Sequence, residues 1–164
     1  MQVLKFVYQH PLFQSSDLDL IFSAHQCVHF PKGAFLLEKD QIANAYYIME
    51  SGLIRTFLYD YNGNEITTGL VGNNELVIEV ASLFQRVPTQ EYIQCLSDCT
   101  LWKIDYDIFQ ELFHQIPAFR EWGRAWLVYE LYRSKMRANE MITEPATKRY
   151  LNLMQERPQI IQQA

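Results

Sequence analysis

Residues 46–71 read YYIMESGLIRTFLYDYNGNEITTGLV and carry the clearest structural pattern in the chain. Short runs of β-favouring side chains lie on both sides of Ser51-Gly52, which predicts two strands joined by a turn. Asn62-Gly63 predicts a tight hairpin, because both residues tolerate the positive φ that such a turn needs. The run from Ile66 to Val71 then predicts the returning strand, so this region is expected to be an antiparallel meander.

Further short strands are predicted on either side of this stretch. Apolar residues recur with a period of about two from Cys27 to Leu37, around the turn at residues 31–33. Two more strands are expected at 92–96 and 100–104. Many short strands with turn signals about ten residues apart predict an antiparallel β-roll, or jelly roll, of the cupin-like kind.

The segments outside the strands have helical periodicity. Residues 4–24 predict short N-terminal helices, with Ser16 as the N-cap of the second. Asp105 is expected to cap a hinge helix, Pro117 to open a long helix that ends near Met141, and Thr143 to cap a tail helix. The predicted class is mainly β plus α, with three parts: a roll with its N-terminal helices at 1–105, the hinge and long dimerisation helix at 106–142, and the tail at 143–164.

The long helix has two apolar stripes. A helix packed only on its own roll needs one, so the second predicts a partner chain and a homodimer. The alternative is that the N-terminal helices and the tail helix cover both stripes within one subunit. The stripe with coiled-coil spacing is the predicted dimer interface, and its aromatic residues are typical interface anchors, although they are equally suited to line a ligand pocket. It consists of Phe119, Trp122, Trp126, Tyr129, Arg133 and Met136. The other stripe contains Leu127, Leu131 and Ala138, and which of the two faces the partner stays open.

The composition argues against nucleic-acid binding by this chain. Its formal net charge is −5, and its Lys and Arg residues are dispersed, whereas phosphate neutralisation requires a basic face. The N-terminus lacks the features of a signal peptide and no apolar run is long enough to span a membrane, so a cytoplasmic location is expected.

The sequence does not predict an enzyme. No P-loop, nucleophile elbow or GxGxxG pattern occurs, and no histidine lies between residues 30 and 113 to build a cupin metal site. Cys95 and Cys99 would be about 13 Å apart along an extended strand, too far for a disulfide. The three cysteines, 27, 95 and 99, are therefore expected to be reduced.

The order of elements, together with several local motifs, resembles the CRP/FNR family of transcription regulators. Residues 32–40, KGAFLLEKD, are similar to the family turn KGxxLxxxGD, with Lys39 in place of its second glycine. Residues 46–55 resemble its strand-turn-strand motif, and Gly72 matches its third glycine. The tail at 146–162 is closest to a Bacteroidetes-type branch, in which a helix-turn-helix domain would start soon after residue 164.

The resemblance implies a ligand-binding cassette between Gly72 and Leu96. In nucleotide-binding relatives this cassette contains a short helix whose amides face a phosphate, a glutamate for the ribose and an arginine for the cyclic phosphate. Glu79 matches the glutamate, but the arginine position falls near Thr89 or Gln90, beside the repelling Glu91. The candidate ligand-binding residues are Glu79, Ser82, Arg86, Thr89 and Gln90. No cofactor is predicted, and a cyclic nucleotide, another small ligand and a roll without ligand stay open.

Two functions follow from the resemblance. The first is the effector-sensing and dimerisation domain of a CRP/FNR-type regulator, which signals by repositioning the long helix. DNA would then be bound only through a helix-turn-helix domain that these residues do not contain. The second is a stand-alone cyclic-nucleotide-binding-like module that acts by protein contact, without DNA.

Overall fold

A computed structural model describes residues 1–163. Its eight strands form two packed four-stranded antiparallel sheets with the orders β1-β8-β3-β6 and β2-β7-β4-β5, which confirms the predicted roll. The strands are β1 (Gln26–Phe30), β2 (Phe35–Leu37), β3 (Ala45–Ser51), β4 (Ile54–Tyr59), β5 (Glu65–Val71), β6 (Leu76–Val77), β7 (Tyr92–Cys95) and β8 (Cys99–Asp105).

The hairpin between β4 and β5 forms where the sequence predicts it. Asp60 closes the turn, because its Oδ1 accepts hydrogen bonds from the amides of Asn62 at 2.8 Å and Asn64 at 2.9 Å. Gly63 has a φ of +81°, which is the left-handed conformation that glycine adopts without strain. The register then pairs Tyr59 with Glu65 and Ile54 with Val71.

Seven helices surround the roll within residues 1–163. They are α1 (Gln2–Val7), α2 (Ser15–Ser23), α3 (Val80–Gln85), α4 (Tyr106–Gln115), α5 (Pro117–Thr143), α6 (Ala146–Glu156) and α7 (Pro158–Gln163). Three predicted boundaries need correction. Gln14, not Ser16, is the N-cap of α2. Thr143 still belongs to α5, and Pro145 precedes α6. The chain also continues past Arg157 as the short helix α7, because proline is compatible with a first helical turn.

The expectation that Cys95 and Cys99 lie far apart is wrong. The two residues end one strand and begin the next, and the chain reverses between them. Both side chains are buried, and burial together with the neighbouring thiol of Cys99 raises the pKa of Cys95 to about 12. The distance estimate failed because it assumed a single extended strand. Both residues are free thiols, as is Cys27.

The core continues from the two sheets into the helical layer. Phe119 at the start of α5 is 0% exposed and packs edge-to-face on Tyr8 and Phe109. Trp122 is 7% exposed, and its indole N–H donates to the carbonyl of Val7 at 3.0 Å. These two members of the predicted dimer seam therefore belong to the core of their own subunit, because the N-terminal helices cover this end of α5.

Candidate effector-binding cavity

A cavity of about 1020 Å³ lies between the roll and the long helix. Strands β4, β5 and β6 form one wall, and the stretch of α5 from Trp126 to Arg137 forms the other. Glu156, Arg157 and Gln159 from the tail border it as well. Three parts of the chain that are far apart in the sequence thus line the cavity. A ligand bound there would contact all three at once.

The roll wall of this cavity is acidic. Glu79 and Glu91 both line it, together with Thr56 and Thr68, whose hydroxyl oxygens lie 2.8 Å apart. Burial raises the pKa of Glu91, a hydrogen bond from Thr68 opposes this effect, and the negative charge of Glu79 adds to it. A phosphate at this wall would meet two carboxylates and would be repelled.

One amide at the start of α3, that of Ser82, is not free to bind an anion. The backbone N–H of Ser82 donates to the Glu79 carboxylate at 2.8 Å, so Glu79 caps the helix. The Ser82 hydroxyl accepts a hydrogen bond from the amide of Ala43 at 2.8 Å and is fully buried. Ser82 therefore holds the 38–45 loop and does not line the cavity.

The contacts of Arg86 also lie outside the cavity. Its guanidinium donates to the carbonyl oxygen of Ala43 at 2.6 Å and to the side-chain oxygen of Asn44, and it lies 3.8 Å over the ring of Tyr106. The residue itself has a φ of 57° and ends α3. Arg86 therefore links α3 to the hinge and does not reach the cavity.

Thr89 and Gln90 do not supply an anion site either. Thr89 is buried, and its backbone exchanges hydrogen bonds with Asp40 and Gln41 at 2.9 and 2.8 Å. Its hydroxyl accepts from the amide of Glu91 at 3.0 Å. Gln90 is exposed and does not line the cavity. Of the five predicted ligand-binding residues, only Glu79 faces the cavity.

The helical side of the cavity carries three arginines beside Glu130 and Glu156, and the sequence analysis did not anticipate this cluster. Arg133 and Arg137 from α5 and Arg157 from the end of α6 all line it. Arg157 pairs with Glu75 and donates to the carbonyl oxygen of Leu70 at 3.2 Å. The only advance signal was the loose basic cluster at 133–137, because Arg157 joins it only when the tail folds back.

The remaining residues of the predicted dimer seam lie on or near this side. Trp126, Tyr129 and Arg133 line the cavity, and Met136 is exposed. A neighbouring face of α5 is free in the subunit: Val128 is 57% exposed, and Leu131, at the edge of the cavity, is 70% exposed. The assignment of a partner interface on this helix stays a prediction.

A second, smaller cavity of about 660 Å³ opens near the 38–45 loop. Tyr47 lines it with Lys103 and Asp105, which form an ion pair at 3.1 Å. Within residues 1–163 no group of three or more His, Cys, Asp or Glu side chains is arranged to hold a metal ion. No helix in the same range is long and apolar enough to cross a membrane.

The sequence comparisons identify the class of domain. Residues 27–116 match the cyclic nucleotide-binding domain family. The match covers more than half of the chain and includes the roll and α4, so the chain belongs to this family. Among curated protein sequences there is no significant match.

Solved structures give the same fold. A CRP/FNR-family transcriptional regulator from Eubacterium rectale superposes with a TM-score of 0.73 at 18% identity, over 93% of this chain and 72% of that one. The Thermus thermophilus catabolite activator protein gives 0.69 at 22% identity, over 82% and 62%. The c-di-GMP-responsive regulator CLP of Xanthomonas campestris gives 0.70 at 18%, over 89% and 74%. The fold is thus that of CRP/FNR-type regulators, and the match spans 62% of the Thermus protein.

Proposed function

We propose that this chain is the effector-sensing and dimerisation domain of a CRP/FNR-type transcription regulator that works in the cytoplasm and signals by repositioning α5. The observation that carries the proposal is the cavity between the roll and α5, since a ligand in it would contact both. An effector shifts the pose of the helix only as far as it binds one pose better than the other. A tenfold preference corresponds to about 1.4 kcal/mol.

The exposed face of α5 supports the dimer part of the proposal. Val128, Leu131, Lys135, Ala138 and Ile142 follow the 3-4 spacing of a coiled-coil seam and are all exposed in the subunit. The helix has 27 residues, which gives it a length of roughly 40 Å. A second copy packed along this face would cover the apolar side chains that the subunit itself leaves uncovered.

Light scattering coupled to gel filtration tests the dimer. We expect a dimer for the wild-type chain at micromolar concentration and a monomer for Leu131→Glu, because a carboxylate in an apolar seam is costly to desolvate. The matched control is Leu12→Glu, which changes another leucine that is 57% exposed and should stay dimeric. A wild-type monomer under these conditions would refute dimerisation.

We further propose that DNA is contacted outside these residues. The net charge of −5 supports this, because a DNA-contacting surface needs a basic face. A fluorescently labelled DNA duplex at low salt is the test. Polarisation should not change on addition of the chain, and salt-sensitive micromolar binding would contradict the proposal.

A further inference from the structure

The tail of the chain, residues 146–163, contacts the roll mainly through two side chains. The first is Ile160, which is 1% exposed and is the one buried residue among residues 146–162, for which burial is described. It lies on Gly72 in the turn between β5 and β6, since a Cβ on that glycine would be 3.6 Å from Ile160 Cγ1. Helix α6 buries no residue of its own. The apolar contact of the tail with the roll thus depends chiefly on Ile160.

The second side chain is Arg157, which makes the polar contact at the same turn. Its guanidinium pairs with Glu75 and donates to the carbonyl oxygen of Leu70 at 3.2 Å. Glu75 is held in the turn, because its carboxylate also accepts from the amide of Gly72 at 2.7 Å. Both contacts of the tail therefore converge on one short segment of the roll, the turn at residues 70–75.

The ion pair in this contact is partly shielded from water. The side chain of Arg157 is 18% exposed and that of Glu75 is 31% exposed. Removal of one partner from a shielded pair is costly, because the remaining charge stays partly desolvated. The tail has another ion pair, between Lys148 and Glu144, but Lys148 is 57% exposed and Glu144 does not belong to the roll. An exposed pair of this kind contributes little.

The helices of the tail are too short to persist without this contact. Helix α6 has 11 residues and α7 has 6, whereas isolated helices shorter than about 12–15 residues are marginal in water. The tail is joined to α5 through Glu144 and Pro145, whose backbone is extended. Loss of the contacts at the turn would therefore release both helices and expose their amides to exchange.

We propose that Arg157 and Ile160 form a latch on the turn at residues 70–75, and that opening of this latch releases the whole tail from the roll. The proposal concerns regulation and rests on the proposed sensing function. The turn leads through β6 to Glu79 at the wall of the cavity, and Arg157 borders the same cavity. A movement of that wall would shift the turn away from the tail. The tail would then transmit the change in addition to α5.

Hydrogen exchange of the ligand-free chain tests the polar half of the latch. The amides of residues 159–162 should be protected in the wild-type chain and should exchange at least about tenfold faster in Arg157→Gln and in Glu75→Gln. Glu75→Gln keeps an oxygen that can accept from the Gly72 amide, so the turn should fold. The double variant should be no faster than the faster single variant, because both changes remove the same ion pair. The matched control is Lys148→Gln, which should exchange like the wild-type chain.

The variant Ile160→Ala tests the apolar half. Alanine favours a helix more than isoleucine does, so helix propensity alone predicts slower exchange in α7. Loss of the latch predicts the opposite, an exchange at least about tenfold faster. The matched control is Leu151→Ala, which truncates a side chain of the same tail that is 51% exposed and should leave the exchange of residues 159–162 unchanged.

Limited digestion with trypsin tests whether the tail is released as a unit. Cleavage after Lys148 and Arg149 in α6 should accelerate in Ile160→Ala and Glu75→Gln but not in Leu151→Ala, because proteolysis follows the population of the open form. Three outcomes would overturn the proposal: wild-type tail amides that exchange like an unfolded peptide, latch variants that exchange like the wild-type chain, and faster exchange in α7 with unchanged cleavage in α6. Neither measurement requires an effector or a dimer, so failure of the latch and failure of the proposed sensing function remain distinguishable.

Discussion

At the scale of single residues, a buried chain of polar side chains joins the N-terminal helices to the roll. His25 Nδ1 donates to the carbonyl oxygen of Ile21 at 2.7 Å, because a carbonyl can only accept. In the neutral form of His25, Nε2 accepts from the hydroxyl of Tyr8 at 2.9 Å, and Tyr8 in turn accepts from Tyr46 at 2.6 Å. This arrangement satisfies every member of the chain, and burial of the ring favours the neutral form of His25.

This neutral histidine predicts acid sensitivity of the fold. Burial lowers the pKa of His25 to about 4, from an ordinary value of 6.5. Below pH 6.5 the unfolded chain binds a proton that the folded chain does not, so stability falls as the pH falls from 6.5 towards 4. The loss attributable to His25 between pH 7.5 and 4.5 is about 2–3 kcal/mol.

Urea unfolding at the two pH values measures this loss. The variant His25→Asn should show a pH dependence smaller by that amount, whatever its absolute stability. His29 is exposed and hydrogen-bonded to Thr100, so His29→Asn should keep the wild-type dependence. An unchanged slope in His25→Asn would refute the assignment.

At the scale of elements, the long helix α5 has two different roles along its length. Its first two turns, with Phe119 and Trp122, are part of the core. From Trp126 onward one face borders the cavity, and another face, with Val128 and Lys135, is uncovered. The helix is therefore anchored at one end and leaves its C-terminal half able to respond to a ligand.

The anchored end predicts a large cost for truncation. Phe119→Ala should lower the free energy of unfolding by about 3–5 kcal/mol, because it leaves a cavity among packed aromatic rings. The control is Tyr61→Ala, since Tyr61 is 97% exposed at the hairpin, and it should change stability by less than about 0.5 kcal/mol. Urea denaturation checks both, and a small effect at Phe119 would show that this end of α5 is not anchored.

Two turns of the roll also differ in what they tolerate. Gly52 and Gly63 both have positive φ, at +122° and +81°. A Cβ on Gly52 would lie 2.6 Å from Cys99 Sγ and 2.8 Å from the carbonyl oxygen of Asp98, whereas a Cβ on Gly63 would meet nothing within 4 Å. The turn at Gly52 is therefore packed against the β7–β8 connection, and the hairpin turn is open.

Alanine substitutions should separate these two turns. Gly63→Ala is expected to cost about 1–2 kcal/mol, from backbone strain alone. Gly52→Ala should cost about 1–3 kcal/mol more, because the packed neighbours must move as well. Chemical denaturation measures the loss in the free energy of unfolding of each variant. Equal losses would mean that the neighbours of Gly52 move aside without a cost in free energy.

At the scale of the whole molecule, all the arginines that line the cavity lie on its helical side, together with Glu130 and Glu156, and none lies on the roll wall. Glu79 and Glu91 lie on the roll, and the arginines of α5 and α6 lie across from them. This distribution differs from the cassette that the family resemblance implies, in which the roll itself supplies an arginine for the phosphate. The family fold is thus retained with a different arrangement of charge.

This arrangement predicts that cyclic AMP does not bind well. A ligand present at 100 times its dissociation constant stabilises the folded state by about 2.7 kcal/mol. We expect cyclic AMP at millimolar concentration to leave the melting temperature unchanged in a thermal-shift assay. A rise in the melting temperature of several degrees would contradict the prediction that the acidic roll wall disfavours cyclic AMP.

The sequence alone determined the features that depend on local chemistry. The hairpin at Asn62-Gly63, the turn at Gly52 and the change from strands to helices at Asp105 were all predicted where they occur. Backbone preference and the periodicity of apolar residues encode such features within a few neighbouring positions. The family motifs added the order in which the elements pack.

Only the tertiary structure decided what each exposed or apolar side chain meets. An apolar stripe on a helix does not indicate which element packs on it. Phe119 and Trp122 were therefore predicted to be interface residues, whereas the N-terminal helices bury them within the subunit. Likewise, Arg137 and Arg157 are 20 residues apart in the sequence and share the cavity only because the tail folds back. Long-range packing brings such residues together, and no local pattern records it.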